Sequence, residues 1–257
     1  MCRMSFVTVL FGVSLFALQR TAQADYWLKY YEAKTYESAH GRTLPYRLLK
    51  PDQIESGKSY PLVLFLHGAG ERGSDNAQQL SNAARQFARP INRRKYPCFV
   101  LAPQCPSGKS WSVWSKHAML GEPTVPMKLA LELLDRLVAE LPVDKNRIYV
   151  TGLSMGGHGT WDVIARRPGY FAAAMPICGG GDPAQAAKMT KLPIWAFHGD
   201  RDDRVPYQRT VEMIEAIRQA GGEPKMTIFR GVDHDCWGLA YGNPAVLDWL
   251  FAQKKTE

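Results

Sequence analysis

The chain has 257 residues, of which 46% are hydrophobic and 22% charged, and a formal net charge of +8 at pH 7. This length suits one compact domain with a sizeable core and excludes two large domains. The basic residues are scattered, with Arg93-Arg94-Lys95 as their three-residue run, which disfavours a nucleic-acid-binding protein. We therefore expect a globular protein with a solvated basic surface and no nucleic-acid partner.

The first 24 residues have the three parts of a secretory signal peptide. A short basic start precedes an apolar run over residues 6–18, and Ala22-Gln23-Ala24 supplies a small-residue cleavage site before Asp25. The run is shorter than the roughly 20 apolar residues that cross a bilayer, which disfavours the alternative of an uncleaved membrane anchor. We expect residues 25–257 to form the mature protein, secreted or periplasmic and without a stable membrane anchor.

Four cysteines would remain after this cleavage: Cys98, Cys105, Cys178 and Cys236. An even number in an exported protein is compatible with disulfides, although all four could also be buried thiols. Cys98 and Cys105 bracket an extended segment whose ends would lie roughly 20 Å apart, which disfavours that pair. The spacing leaves the other pairings open, and no pattern such as C-x-x-C indicates a metal site.

The predicted elements of the mature chain begin with a hairpin, in which residues 34–38 and 43–50 flank a turn at Ala39-His40-Gly41. Residues 61–66 are apolar at every position, as expected of a central strand that is covered on both faces. Further strands are predicted at residues 98–102, 147–151, 171–177, 192–197 and 225–229.

Helical patterns fill the intervals between these strands. They cover residues 75–89 after a Ser74 cap, 124–141 with leucines at helical spacing, 206–220 before Gly221-Gly222, and 243–254. The alternation predicts a single α/β domain. We expect a mostly parallel central sheet, an N-terminal antiparallel hairpin and helices on both faces.

The motif that points most directly to chemistry is Gly152-Leu153-Ser154-Met155-Gly156, which follows the strand at 147–151 and precedes a helix. Gly-x-Ser-x-Gly in this context is typical of a nucleophile elbow, a strained turn that lifts a serine hydroxyl above the sheet. The strand and helix around the motif disfavour a spectator serine in a glycine-rich turn. Ser154 is therefore the predicted nucleophile.

A nucleophilic serine needs a base and an orienting carboxylate, which follow it in the chain order Ser, acid, His. Three aspartates compete just after the strand at 192–197. We favour Asp202, because Asp200 suits a role in bracing the turn and Asp203 a role in solvent or as a helix cap. His234 follows the last strand and is the predicted base, whereas a structural role is expected for His198 at the start of a glycine-containing turn.

Acyl transfer also needs N–H donors for a developing oxyanion. One is expected from Met155, the residue after the nucleophile, and the other from the loop at residues 67–73, with Ala69 first and Gly70 second. This loop lacks the Lys-Ser/Thr of a P-loop and the full dinucleotide fingerprint, which disfavours a nucleotide site.

Three tryptophans, Trp111, Trp114 and Trp237, lie in loops near these motifs and are candidate substrate-binding residues, together with Gly70. Their rings could stack on an aromatic or sugar-linked ester. Packing beneath a loop is an equally good interpretation of each of them.

Four segments together resemble a known family: residues 66–73 (LHGAGERG), 152–161, 176–181 and 198–206. They look like those of the bacterial phospholipase/carboxylesterase-like α/β-hydrolases, often called predicted peptidases. That group is similar to acyl-protein thioesterases, dienelactone hydrolases and feruloyl esterases. The resemblance covers nearly the whole mature chain, and it implies an α/β-hydrolase fold and carboxylic ester hydrolysis without a cofactor. It also supports Ser154, Asp202 and His234 as the triad.

We find no extended lid insertion of the kind that large lipases carry, which argues against long-chain fats as substrates. The sequence thus predicts a secreted serine esterase that acts on small-molecule or polymer-linked esters through an acyl-enzyme. Two alternatives stay open. One is a serine peptidase of the same fold, and the other is a catalytically inactive secreted binding module.

Overall fold

The computed structural model describes residues 27–113 and 121–255. The predicted leader with its cleavage site, and Trp114, lie outside the described residues. Eight strands form one sheet in the order β1-β2-β4-β3-β5-β6-β7-β8. The strands are β1 (Tyr31–Glu37), β2 (Thr43–Leu49), β3 (Tyr60–Leu66), β4 (Phe99–Pro103), β5 (Val143–Leu153), β6 (Ala173–Ile177), β7 (Trp195–Gly199) and β8 (Lys225–Phe229).

The predicted N-terminal hairpin is confirmed. β1 pairs antiparallel with β2, in a register that runs from Tyr31 opposite Leu49 to Glu37 opposite Thr43. The turn contains Gly41 at a φ of +71°, a left-handed conformation that glycine adopts without steric cost. β2 also pairs antiparallel with β4, and every pair from β4 to β8 is parallel.

Six α-helices pack on this sheet within the described residues, and none of them is both long enough and apolar enough to cross a membrane. Three of the four predicted helices are confirmed within a few residues of their expected ends, as is the helix after Ser154. The helices are α1 (Pro90–Lys95), α2 (Val125–Glu140), α3 (Met155–Arg166), α4 (Gln208–Gln219), α5 (Trp237–Gly242) and α6 (Pro244–Ala252).

The helix predicted over residues 75–89 is wrong, because this segment forms only two 3-10 turns, Gln78–Leu80 and Ala83–Gln86. Asn76 has a φ of +51°, which an α-helix does not permit. The Asp75 carboxylate accepts the N–H groups of Ala77 and Gln78, so the side chain competes with helical hydrogen bonding.

The sheet separates two hydrophobic cores, which confirms the prediction of helices on both faces. Along β3, Leu62, Leu64 and Leu66 pack into one core with residues of α2, α3 and α4. The intervening Val63 and Phe65 pack into the other core with residues of α5 and α6. This is why the strand is apolar at every position.

The carboxyl ends of the parallel strands lie at one edge of the sheet, and the loops that follow them carry the predicted site residues. Ser154 follows β5, Asp202 follows β7 and His234 follows β8, while the loop with Ala69 follows β3. Residues far apart in the chain can therefore meet at this edge, which is where open α/β sheets place their ligands.

Candidate active site

Ser154 occupies a sharp turn between the end of β5 and the start of α3. Its backbone has φ 53° and ψ −115°, a region that residues other than glycine rarely adopt. The strand and the helix approach so closely that a Cβ on Gly152 would lie 2.4 Å from the Gly156 carbonyl oxygen. A Cβ on Gly156 would lie 1.9 Å from the Leu66 carbonyl oxygen, so this turn requires both glycines.

The structure brings Ser154, His234 and Asp202 together. His234 Nε2 lies 2.8 Å from Ser154 Oγ, and His234 Nδ1 lies 2.6 Å from Asp202 Oδ2. Both distances are those of hydrogen bonds. With the proton on Nδ1, the imidazole donates to the carboxylate and offers its Nε2 lone pair to the serine hydroxyl, which is the arrangement that general-base chemistry needs.

Asp202 also accepts hydrogen bonds from N–H groups of its own loop, whereas the other two aspartates of that loop, Asp200 and Asp203, are not part of this network. Its Oδ1 accepts the N–H groups of Arg204 at 2.9 Å and Val205 at 2.8 Å. Burial acts to raise the pKa of Asp202, but the bonds from Val205, His234 and Arg204 outweigh it and lower the pKa below the ordinary value. Asp200 instead accepts the Gly231 N–H, and Asp203 is exposed.

His198 makes a second imidazole contact with the same carboxylate. Its Nε2 lies 3.0 Å from Asp202 Oδ2 and 2.9 Å from the Val205 carbonyl oxygen. Because a carbonyl only accepts, Nε2 must carry a proton, while the single proton of the Thr210 hydroxyl lies between Nδ1 at 2.7 Å and the Gly179 carbonyl oxygen at 2.8 Å. Burial lowers the pKa of His198, which favours a neutral imidazole. Sequence reasoning missed the contact, although the four-residue spacing to Asp202 is a signal that could have indicated it.

The loop after β3 lies against the turn that carries Ser154. A Cβ on Gly68 would be 2.7 Å from Leu153 Cδ1, so no side chain fits between them. Ala69 begins a 3-10 turn and Met155 begins α3. N–H groups at the first position of a helix have no partner within it and are available to an oxyanion. Gly70 is exposed, with open space around its Cα.

Glu71 anchors this loop from inside the protein. Its carboxylate accepts the Gly68 N–H at 2.6 Å through Oε2 and the Asn82 side-chain amide at 2.9 Å through Oε1. Only 2% of the residue is exposed, and burial raises its pKa to about 7. The position of the Ala69 N–H therefore depends on a buried carboxyl group two residues away.

We expect Glu71→Ala to lower kcat about tenfold to a hundredfold, since loss of one oxyanion donor costs roughly 10²–10³ and a displaced donor costs less. Glu71→Gln should keep most of the activity. The glutamine oxygen can still accept from Gly68, and Asn82 can rotate its amide to accept from the new NH₂. Steady-state kinetics on p-nitrophenyl acetate, with thermal unfolding as the folding control, measure both variants.

The pH dependence of Tm in the wild type and in Glu71→Gln reports the titration of Glu71. A carboxyl group whose pKa is near 7 when folded and about 4.5 when unfolded stabilises the fold fully below pH 4.5, and that stabilisation is lost as the pH rises through 7. The Tm of the wild type minus that of Glu71→Gln should therefore fall between pH 5 and pH 8. A Glu71→Ala variant with native Tm and wild-type kcat would contradict the anchoring role.

The candidate tryptophans differ in their surroundings. Trp111 is wholly buried and its Nε1–H donates to the His67 carbonyl oxygen at 3.0 Å, so it packs beneath the loop instead of facing a substrate. Trp237 is half-buried, with its ring perpendicular to the His234 imidazole at a centroid distance of 5.7 Å. Trp114 is outside the described residues.

A cavity of about 690 Å³ opens beside α3. Its wall includes His158, one turn after Ser154, and Val205, whose N–H donates to Asp202. Trp161 and Arg209 also line it, and the sequence analysis predicted neither of them as a site residue. The cavity combines residues of α3, α4 and three segments between helices and strands, so only the folded chain reveals it.

Comparison with known proteins gives one family and several relatives. The model of the dienelactone hydrolase family matches residues 117–236, a little less than half of the chain, and this range includes Ser154, Asp202 and His234. A solved thermostable esterase is 39% identical with a TM-score of 0.83, over 88% of this chain and 64% of that one.

NocK of Nocardia uniformis subsp. tsuyamanensis, which is named as an esterase, is 26% identical over 71% of this chain and 58% of its own length. The bifunctional acetylxylan esterase/xylanase XynS20E of Neocallimastix patriciarum is 27% identical over 62% of this chain and 22% of its own. Peptidases also match. The chain thus spans less than two thirds of the length of each of the three proteins described, and the family model and the solved esterase support an α/β-hydrolase fold for this chain.

Proposed function

We propose that this chain, which has the fold of the esterase-like α/β-hydrolases, is a serine hydrolase that cleaves carboxylic esters through an acyl-enzyme. The observation that carries the proposal is the continuous hydrogen-bonded series Ser154–His234–Asp202, with distances of 2.8 and 2.6 Å. We further propose that residues 1–24 direct the protein out of the cytoplasm and are then removed.

In the acylation step, His234 Nε2 takes the proton of Ser154 Oγ as the oxygen attacks the ester carbonyl carbon. The carbonyl oxygen becomes negatively charged and accepts hydrogen bonds from the N–H groups of Ala69 and Met155. When this intermediate collapses, the bond to the alcohol breaks, and His234 returns its proton to the departing alcohol oxygen. The acyl group stays on Ser154.

In the second half, water replaces the alcohol. His234 takes a proton from the water as its oxygen attacks the acyl-enzyme, and then returns that proton to Ser154 as the carboxylic acid leaves. Asp202 remains ionised throughout, because its oxygens accept four hydrogen bonds from nitrogen donors. Its negative charge stabilises the imidazolium that forms in each step.

The substrate class is inferred from the cavity beside α3, whose wall includes His158, one turn after Ser154. A cavity of about 690 Å³ accommodates a small or medium acyl or alcohol group. Charged side chains on its wall, including Asp182, Arg166 and Arg209, favour a polar alcohol such as a sugar unit. The relative named as an acetylxylan esterase/xylanase supports polymer-linked acetyl esters as candidates.

A substrate panel tests this proposal. We expect kcat/KM to be highest for p-nitrophenyl acetate, p-nitrophenyl butyrate and acetylated xylan, and at least about a hundredfold lower for palmitate esters and for matched peptide anilides. Faster cleavage of the anilides would favour the peptidase alternative. Failure of a fluorophosphonate probe to label Ser154 in the folded protein would favour an inactive binding module.

A further inference from the structure

The imidazole of His198 is a second hydrogen-bond partner of the carboxylate that orients His234. His198 Nε2 lies 3.0 Å from Asp202 Oδ2, which is the same oxygen that lies 2.6 Å from His234 Nδ1. The other oxygen, Oδ1, accepts the N–H groups of Arg204 and Val205 from its own loop. His198 therefore donates to the oxygen that faces the proposed general base.

The ring of His198, which lies in β7, is held at both of its nitrogens. Nε2 also lies 2.9 Å from the Val205 carbonyl oxygen, so its proton forms a three-centre bond with that oxygen and with Asp202 Oδ2. Nδ1 lies 2.7 Å from the hydroxyl of Thr210 in α4, which in turn lies 2.8 Å from the Gly179 carbonyl oxygen. Contacts at both nitrogens fix the plane of the ring and keep Nε2 directed at the carboxylate.

Burial makes the Asp202 carboxylate dependent on this donor. The side chains of His198 and Asp202 are wholly buried, so solvent does not reach the bond between them. In the part of the chain that the structure describes, Oδ2 accepts hydrogen bonds from His198 and His234 alone. Removing a donor from a buried charged group is costly, so without His198 the carboxylate would relax toward a different orientation. That change would alter the bond that orients His234.

We propose that His198 is a positioning residue for ester hydrolysis, which holds Asp202 Oδ2 in the place from which that oxygen orients the His234 imidazole. Thr210 supports this role because its hydroxyl holds the other nitrogen of His198. The inference rests on the proposed function. His198 is wholly buried and acts through Asp202, so we expect it to affect the chemical step and not the binding of substrate.

A purely structural role for His198 would give a different result. In that case its bond to the Val205 carbonyl oxygen closes the loop between β7 and α4, and the loss of this bond lowers the stability of the fold. The kcat of the protein that remains folded would not change. A positioning role instead lowers kcat in fully folded protein and leaves KM unchanged, because the geometry of His234 matters when the Ser154 proton moves.

The test compares His198→Leu with His198→Gln. Leucine fills most of the space of the imidazole but donates no hydrogen bond, and we expect kcat to fall about tenfold to a hundredfold with KM within about twofold of wild type. The amide nitrogen of glutamine is placed like the imidazole Nε2, and it has two N–H groups for the two acceptors, Asp202 and Val205. We therefore expect His198→Gln to recover kcat to within about fivefold of wild type.

Thr151→Val is the matched control for the loss of a buried polar group. Thr151 lies in β5 and is wholly buried, and its hydroxyl donates to the Met175 carbonyl oxygen at 2.7 Å, outside the hydrogen-bonded series of the triad. This variant should lower the Tm but keep kcat within about twofold of wild type. Each protein is measured by hydrolysis of p-nitrophenyl acetate, by thermal unfolding and by the rate at which a fluorophosphonate labels Ser154.

A second pair of variants serves if His198→Leu does not fold. Thr210→Val removes the hydroxyl that contacts His198 Nδ1 and keeps the shape of the side chain, whereas Thr210→Ser keeps the hydroxyl. We expect kcat to be about threefold to tenfold lower in Thr210→Val than in Thr210→Ser, with equal KM values. Equal kcat values in these two variants would overturn the inference.

The outcomes separate the role of His198 from the proposed function. A wild type that neither hydrolyses esters nor reacts with the fluorophosphonate at Ser154 would contradict the proposed function, and the role of His198 with it. If the wild type is active, a folded His198→Leu protein with wild-type kcat and labelling rate would overturn the role of His198 alone. So would a folded His198→Gln protein that is as impaired as His198→Leu.

Discussion

Ser154→Ala is expected to lower kcat by roughly 10⁵-fold or more, since removing the nucleophile of a serine triad eliminates the covalent route and leaves only binding and oxyanion stabilisation. The Ser154 hydroxyl is hydrogen-bonded to His234 Nε2, and the residue lies at a partly exposed turn. The fold therefore loses little, and we expect the Tm to stay within about 2 °C of wild type.

The measurement combines ester hydrolysis, active-site labelling by a fluorophosphonate and thermal unfolding. Ser59→Ala is the matched control, because Ser59 is exposed and lies next to the amino end of β3, away from the edge that carries the site. The control should keep wild-type kcat and labelling. A Ser154→Ala protein that retains more than a tenth of the activity would show that another residue is the nucleophile.

Ser154→Gly extends the same experiment to the backbone. Activity should fall as far as in Ser154→Ala, but glycine tolerates the positive φ at this turn. Strained backbone at functional sites costs on the order of 1–3 kcal/mol, of which the greater flexibility of unfolded glycine offsets a part. We expect the Tm of Ser154→Gly to exceed that of Ser154→Ala by a few degrees.

The parallel sheet and the positions of the site residues after its strands could be predicted from the sequence, because both depend on local patterns. Strands such as β3 are apolar at every position, and the glycines around Ser154 mark the strand–helix turn. Parallel strands bring their carboxyl ends to one edge, so a residue's place just after a strand was enough to predict that Ser154, Asp202 and His234 lie near one another.

Features that depend on contacts between distant segments could not be predicted in this way. Residues 75–89 have the composition of a helix, but the Gln104 side chain accepts the Asn76 N–H from 28 residues away and stabilises a different backbone. From the sequence, Trp111 was a candidate substrate contact. In the structure its Nε1–H donates to the His67 carbonyl oxygen, and the side chain packs beneath the loop after β3.

Asp202→Asn is expected to lower kcat by about 10⁴-fold, while Asp203→Asn should stay within about twofold of wild type. In Asp202→Asn, the amide oxygen can still accept hydrogen bonds from the N–H groups of Arg204 and Val205, which bond to Oδ1 in the native protein. Its NH₂ group then replaces Oδ2 and faces the nitrogens of His198 and His234, both of which donate to that oxygen in the native protein. Three donors would meet with no acceptor between them.

We expect the clash of donors in Asp202→Asn to be relieved by a change in which nitrogen of His234 carries the proton. If His198 moved its proton to Nδ1, the buried Val205 carbonyl oxygen would lose the N–H that lies 2.9 Å from it, which costs free energy. If His234 moves its proton to Nε2, its Nδ1 can accept from the new amide, but Nε2–H then points at Ser154 and can no longer take the hydroxyl proton. We therefore expect a large loss of kcat with little change in KM. Kinetics of both variants, with crystal structures to confirm the asparagine position, measure this, and a larger loss in Asp203→Asn would transfer the role of the acid to that residue.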